Sequence, residues 1–206
     1  MNYNKIMSKT HEMNERLGSM QYRANRTLDF AVNKKVLHFG SGNIENSNHK
    51  LYENLSSEIT SVDNDQSSGA DFKKIEDVSS HDYDVIIAEH VFEHIPIQCI
   101  DKIAINFKRL IKDKGIILFT VPNIMNFGGW FCDHQHVNFA PPDQIAAIFE
   151  LAGFEAIDRF GWSKQRHFER HSRTFTETEV FIANFLQQEY GLQLHRYVSY
   201  VLKSNS

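Results

Sequence analysis

The chain has 206 residues, 41% of them hydrophobic and 23% charged, which suits an ordinary globular protein of one domain better than two. Its 26 acidic and 22 basic residues leave a formal charge of -4, too weak a field to gather nucleic acid or anionic lipid, so a nucleic-acid partner is disfavoured. The two cysteines, Cys99 and Cys132, make no Cys-x-x-Cys pair, no signal peptide opens the chain, and no stretch approaches the roughly 18 apolar residues of a membrane span, so a reduced, cytoplasmic setting is expected. The 16 phenylalanines are expected to fill the core.

In chain order, residues 3–33 carry broken amphipathic spacing interrupted at Gly18, and 1–33 is expected to form a helical cap. KKVLHFGSGN then predicts a buried strand, Val36 to Phe39, ending in a turn of Gly40, Gly42 and Asn43. Residues 46–56 have slight helical character, and EITSVDND predicts a second strand, Ile59 to Val62, ending at Asp63. A third strand runs over 83–88 in YDVIIAEH. Apolar positions among charges predict a helix over 97–112, and KDKG closes it. IILFTVP is a strand that Pro122 ends, and a long loop, 123–142, follows it. A helix over 143–152 starts at Pro141, Pro142 and Asp143 and closes at Gly153, with a strand from Phe154 to Phe160 after it. Residues 163–175 are basic and irregular. Residues 176–190 read as helix, with Thr176 and Glu179 as a capping box, and 195–202 as a last strand. The expected organisation is the cap followed by one domain over 34–206, with a loop and helix insertion at about 161–194.

Strands alternating with crossover-length segments predict an α/β fold with a mostly parallel sheet covered by helices on both faces. Ligands bind such sheets beyond the carboxyl ends of the strands. The first strand end offers Gly40, Ser41 and Gly42, where the backbone can approach a ligand closely. The second offers Asp63, whose carboxylate suits the two hydroxyls of a ribose; the third offers Glu89 and His90; the fourth offers Asn123. The acidic end after the glycines follows the logic of a dinucleotide fingerprint, but position 45 is Glu, so the full G-x-G-x-x-G is absent and a ligand without a pyrophosphate is favoured.

The ordered set VLHFGSGN, SVDND, GADF, YDVIIAEHVFEHIP, KDKGIILFTVPN and LAGFE resembles class I S-adenosylmethionine-dependent methyltransferases of the small-molecule group over about residues 34–160. The resemblance implies a Rossmann-like fold and S-adenosylmethionine as cofactor. It implies that Gly40 and Gly42 line the methionine end, that Asp63, with Asn64 beside it, holds the ribose, that Asp71 and Phe72 flank the adenine, and that Glu89 lies near the methionine or ribose. His38 stands where the family has an acid and Ile44 where it has a third glycine. The Leu-His-Phe-Gly-x-Gly-Asn form resembles methyltransferases of cell-surface polysaccharide and glycolipid assembly, which implies a small-molecule or glycan substrate.

An oxygen acceptor usually needs a general base, and His is the usual choice. In DHQHVNF, His134 and His136 are the candidates, with His136 preferred; His-x-His on an extended segment points both rings one way. His94, Asn123, Trp130 and Asn138 are the candidate acceptor contacts, with Phe131 beside Trp130. His90, Glu93 and His94 would share a helix face and could hold a metal, as could His134 and His136, but the spacing matches no standard zinc pattern and no metal is assigned. The basic stretch from Lys164 to Arg173 reads as a solvated face or a phosphate contact. The main expectation is an O-methyltransferase, monomeric or homodimeric. The second is an inactive relative that only binds the nucleoside. A nicotinamide oxidoreductase lacks its glycine turn here, and a metal hydrolase would centre on the DHQH loop.

Overall fold

The computed structural model describes residues 2–18, 20–22, 27–45, 48–124, 133–162, 185 and 197–205. Helix α1 (Tyr3–Leu17) starts where the Asn2 side chain accepts the Asn4 N–H, and it buries Ile6, Thr10 and Met13, one stripe at helical spacing. Gly18, at φ 66°, ends it. The helical spacing read onward to residue 33 does not continue as helix. Strand β1 (Gln21–Tyr22) instead pairs parallel with Phe160 and Gly161, and Thr27–Ala31 forms a 3₁₀ turn. The left-handed glycine stops the helix, and the tertiary strand partner outweighs local propensity beyond it.

Six further strands complete the sheet: β2 (Lys35–Phe39), β3 (Glu58–Val62), β4 (Tyr83–Glu89), β5 (Ile111–Pro122), β6 (Phe154–Trp162) and β7 (Tyr197–Ser204). Their order is β1-β6-β7-β5-β4-β2-β3. The pairs β2–β3, β2–β4 and β4–β5 are parallel, while β7 runs antiparallel to both β5 and β6. Helix α2 (His49–Leu55) and the Thr27–Ala31 turn cover one face, burying Ala31, Val36, Tyr52, Val85 and Ile87 together. Helices α3 (Ile97–Leu110) and α4 (Pro142–Leu151), with α1, cover the other. This is the Rossmann-like architecture that the sequence resemblance implies.

Of the 11 phenylalanines among the described residues, six are buried in the core, while Phe139 and Phe185 are exposed. Phe92, Phe107, Phe119 and Phe149 are fully buried and meet one another at centroid distances of 5.5–6.4 Å, the range of favourable edge and tilted ring pairs. The junction of α3 and β5 is tighter than the sequence suggests. The helix stops at Leu110, Ile111 already pairs with Tyr83, and Lys112–Lys114 bulge into solvent before Ile116 pairs with Val85. Lys114 takes φ 60°, and a Cβ on Gly115 would lie 2.6 Å from Ile111 Cγ1, so the bulge needs its glycine. Among the described residues, no helix is long and apolar enough to cross a membrane. The basic stretch 164–173 lies outside the described residues, and of the helix expected over 176–190 only Phe185, which is helical, is described.

Candidate active site

The carboxyl ends of β2, β3 and β4 converge where the strand order reverses, the usual ligand position in such a sheet. After β2 the chain turns through Gly40 (φ 72°) and Gly42 (φ 62°). The Gly40 and Ser41 N–H groups donate to the Val62 carbonyl, which ties the turn to the end of β3. A Cβ on Gly40 would sit 2.0 Å from Val91 Cγ2, so only glycine fits between the turn and the segment after β4. The Asp63 carboxylate accepts the Gly42 N–H at 2.7 Å and the Asp65 N–H at 2.9 Å. A carboxylate has about four acceptor positions, so these bonds orient Asp63 and leave capacity for a diol. Ile44, where a third glycine was expected, packs on Gly69; a Cβ there would lie 3.1 Å from Ile44 Cγ1, and the Ile44 N–H donates to the Ser68 carbonyl. The bulk that Ile44 adds is thus taken up by a glycine on the facing loop.

These ends enclose a cavity of about 730 Å³, within the range of nucleoside-sized sites. Of the residues singled out in the sequence, Gly40, Gly42, Asp63, Asn64, His90 and His94 line it. Phe39, Val62, Ile75 and Ile95 give it apolar walls. The close backbone approach at Gly40, the diol-ready carboxylate and the apolar walls fit an adenosine-type cofactor.

Asp71 and Phe72 lie outside this lining. Asp71 Oδ2 accepts from the Ser61 N–H (2.8 Å) and hydroxyl (2.7 Å), and Phe72 bridges to Val62 as an extra parallel rung. That pairing uses up Asp71 and delivers the next residues, Lys73 to Glu76, to the cavity instead. Nothing local in GADFKKIED marks this offset; only the Ser61–Asp71 pairing does.

Behind the turn, on the α2 face, His38 is 3% exposed. Its ring stacks on His49 at 5.4 Å, with Nδ1 to Nδ1 at 3.2 Å, and meets the Tyr52 ring edge-on. Burial, and secondarily the His49 charge, push the His38 pKa down to about 3, so the ring is neutral at ordinary pH. Burial also lowers that of His49. Tyr52 donates its hydroxyl to Glu89 at 2.6 Å, and burial, followed by the Glu89 charge, raises the phenol well above its ordinary value. Ser41 is buried, and Tyr52, which sequence reading passed over, is the residue that orders Glu89.

In front of the turn, His90 takes φ 57° and its N–H donates to the Thr120 carbonyl. This turns the chain sharply into the 3₁₀ turn Phe92–His94 rather than into an α-helix. His90 Nδ1 lies 3.4 Å from Glu93 Oε1. The far loop folds onto this turn: Val137 and Asn138 N–H groups donate to the Glu93 carbonyl, and the Asn138 amide donates to the Phe92 carbonyl. His136 is thereby brought to His94, ring centroids 5.0 Å apart, while His134 is almost wholly exposed. Asn123 and Asn138 are buried, and the Asn138 amide is committed to the loop, its oxygen accepting the Ala140 N–H. Gln135, absent from the sequence-based candidates, lines the cavity. Trp130, Phe131 and Cys132 lie outside the described residues.

A family model described as a methyltransferase domain matches residues 11–159. A search of curated proteins finds no match. Among solved structures, the chain is similar to a SAM-dependent methyltransferase from Archaeoglobus fulgidus, with a TM-score of 0.66 and 16% identity over 98% of this chain and 100% of that one. It is similar to the N-methyltransferase NodS from Bradyrhizobium japonicum, with a TM-score of 0.54 and 12% identity over the whole of both chains. It is also similar to a phosphoethanolamine N-methyltransferase from Haemonchus contortus, solved with S-adenosyl-L-methionine, with a TM-score of 0.55 and 12% identity over all of this chain and 53% of that one. At these identities the structural likeness carries the fold alone.

Proposed function

From the premise that this chain belongs to the methyltransferase-domain family, with S-adenosylmethionine as its cofactor, we propose that it methylates an oxygen of a small-molecule or glycan acceptor. When bound, the cofactor supplies an activated methyl on a sulfonium that leaves as a neutral thioether. The chain's own task is then to hold the acceptor in line at near-attack distance and to dispose of its proton. Gly40 and Gly42 admit the cofactor to the backbone, Asp63 and Asn64 take the ribose, and Ile75 and Ile95 wall the base, the part expected of Asp71 and Phe72. Glu89 and His38, expected at the cofactor, lie outside the cavity lining; Glu89, ordered by Tyr52, and the neutral His38–His49 pair back the turn from the α2 side.

The observation that supports an oxygen acceptor is the grouping of His94 and His136 over the buried Glu93 at the cavity mouth. A hydroxyl must lose its proton as the methyl arrives, and an imidazole pair backed by a carboxylate is suited to that. A neutral amine is already a good nucleophile, whereas a hydroxyl is a poor one until its proton is removed. His136 is where the acceptor proton is handled. His136→Ala is expected to lower kcat about a hundredfold with cofactor affinity unchanged by titration calorimetry. Methyl-labelled cofactor offered to matched panels of hydroxylated sugars and amines is expected to label the sugars. Label appearing on amines alone overturns the oxygen assignment.

A further inference from the structure

We infer that Glu93, His94 and His136 form a binding site for a single zinc-class dication at the mouth of the cavity. Each residue offers one donor atom, and the three donors lie within 4.8 Å of one another. Two imidazoles and a carboxylate are a donor set of catalytic zinc sites, which keep a further position open. Metal–donor bonds of about 2.0–2.2 Å at tetrahedral angles put donors about 3.3–3.6 Å apart, so side-chain adjustments of up to about 1.5 Å close the site.

A second observation points the same way. Glu93 is 2% exposed, and its Oε2 has no hydrogen-bond partner, while Oε1 faces His90 at 3.4 Å. A buried carboxylate oxygen without a partner is costly, and a cation removes that cost. The backbone is organised to hold this arrangement. The Glu93 carbonyl takes two N–H donors from the segment just after His136, so the loop bearing one ligand is latched to the turn bearing the other two. His94 Nδ1 faces the Gln135 carbonyl at 3.3 Å. A carbonyl only accepts, so in this contact Nδ1 carries the proton, which leaves the Nε2 lone pair open to a metal.

The binding claim stands apart from the methyl-transfer reading; the consequence rests on it. With the cation in place, His136 acts on the acceptor proton through the metal it holds, and His136→Ala still lowers turnover. An acceptor hydroxyl on the open position is acidified by the metal, gives its proton to solvent water and meets the methyl as an alkoxide.

The test is zinc chloride titrated calorimetrically into chelator-stripped protein, with no cofactor or acceptor present, followed by metal analysis after gel filtration. One equivalent is expected to bind. Glu93→Gln is expected to weaken binding about a hundredfold, and His94→Ala, an exposed position that spares the core, by a similar factor. Cobalt in place of zinc is expected to give the intense visible bands of a low-coordinate site in the parent protein and not in His94→Ala. Absence of a bound equivalent overturns the inference, as does zinc binding that all three single ligand variants retain, since it would then sit elsewhere among the eleven histidines. Preference for magnesium over zinc overturns the assignment of the donor set. A protein that binds zinc here but labels only amines keeps the site and loses the oxygen acceptor.

Discussion

Two histidine clusters flank the glycine turn, and they are opposites. Behind it, His38 and His49 are sealed under α2, stacked and neutral, with Tyr52 and Glu89 closing the group. In front of it, His94 and His136 meet at the cavity mouth, His94 exposed and His136 partly so, over a carboxylate with an uncommitted oxygen. The same residue type does different work because the surroundings differ. Where the cost of burial outweighs the nearby carboxylates, the ring gives up its proton and acts as a shaped polar filler. Where water and a carboxylate are at hand, it can take a proton, a metal or a substrate. Sequence spacing marked His94, His134 and His136, while His38 stood out only as a departure from the resemblance and His49 not at all; burial separates the two clusters.

The largest expected effect is at the wall between the two. Gly40→Ala adds a Cβ at φ 72° and at 2.0 Å from Val91 Cγ2, so the turn must move. Cofactor affinity by calorimetry is expected to fall at least about a hundredfold with far-ultraviolet circular dichroism unchanged; each tenfold is about 1.4 kcal/mol. Adding Val91→Ala removes the clash but not the φ strain of about 1–2 kcal/mol, so recovery should be partial. Full recovery would mean that packing alone, not backbone conformation, demands the glycine.

A somewhat smaller effect should come from the rear cluster through pH. The folded-state pKa of His38, about 3, lies below the ordinary 6.5, so the unfolded chain takes up the proton first. The stability associated with neutral His38 is complete above pH 6.5 and is lost progressively as pH falls from 6.5 toward 3. Between pH 7 and pH 5 this costs about 2 kcal/mol. Urea unfolding of His38→Leu should therefore show a pH 7 to pH 5 loss smaller than that of the parent by about that amount. Equal losses would place the neutral ring elsewhere.

The smallest effect is expected at the latch on the front side. Asp63→Ala removes the bond to the Gly42 N–H and the proposed ribose acceptor, and it should weaken cofactor binding about tenfold, near 1.4 kcal/mol. Unchanged affinity would remove Asp63 from the ribose and leave it only the turn.

Much of the fold was legible without coordinates. Strand periodicity at Val36, Ile59, Tyr83 and Ile116 is a local signal, and it placed four strand ends, of which those of β2, β3 and β4 build the cavity. Gly40, Gly42 and Asp63 were legible for the same reason, since a tight turn and an acidic strand end leave their mark within a few residues. Less was legible wherever one segment had to find a distant one. The helix read past Gly18 yields to β1 because Phe160 and Gly161 offer it backbone partners. The antiparallel course of β7 between β5 and β6 depends on pairings far apart along the chain.

The sequence by itself determined the α/β class, the order of strand ends, the family and, through it, the cofactor, because hydrophobic period and turn chemistry are written residue by residue. Only the tertiary structure decided which of the named side chains share a site. It spent Asp71 on Ser61, turned Glu89 toward Tyr52, buried His38 against His49 and carried His136 to His94 and Glu93. Those partnerships arise when the sheet and loops pack, since a side chain's protonation and its free lone pairs depend on neighbours that the local sequence does not contain.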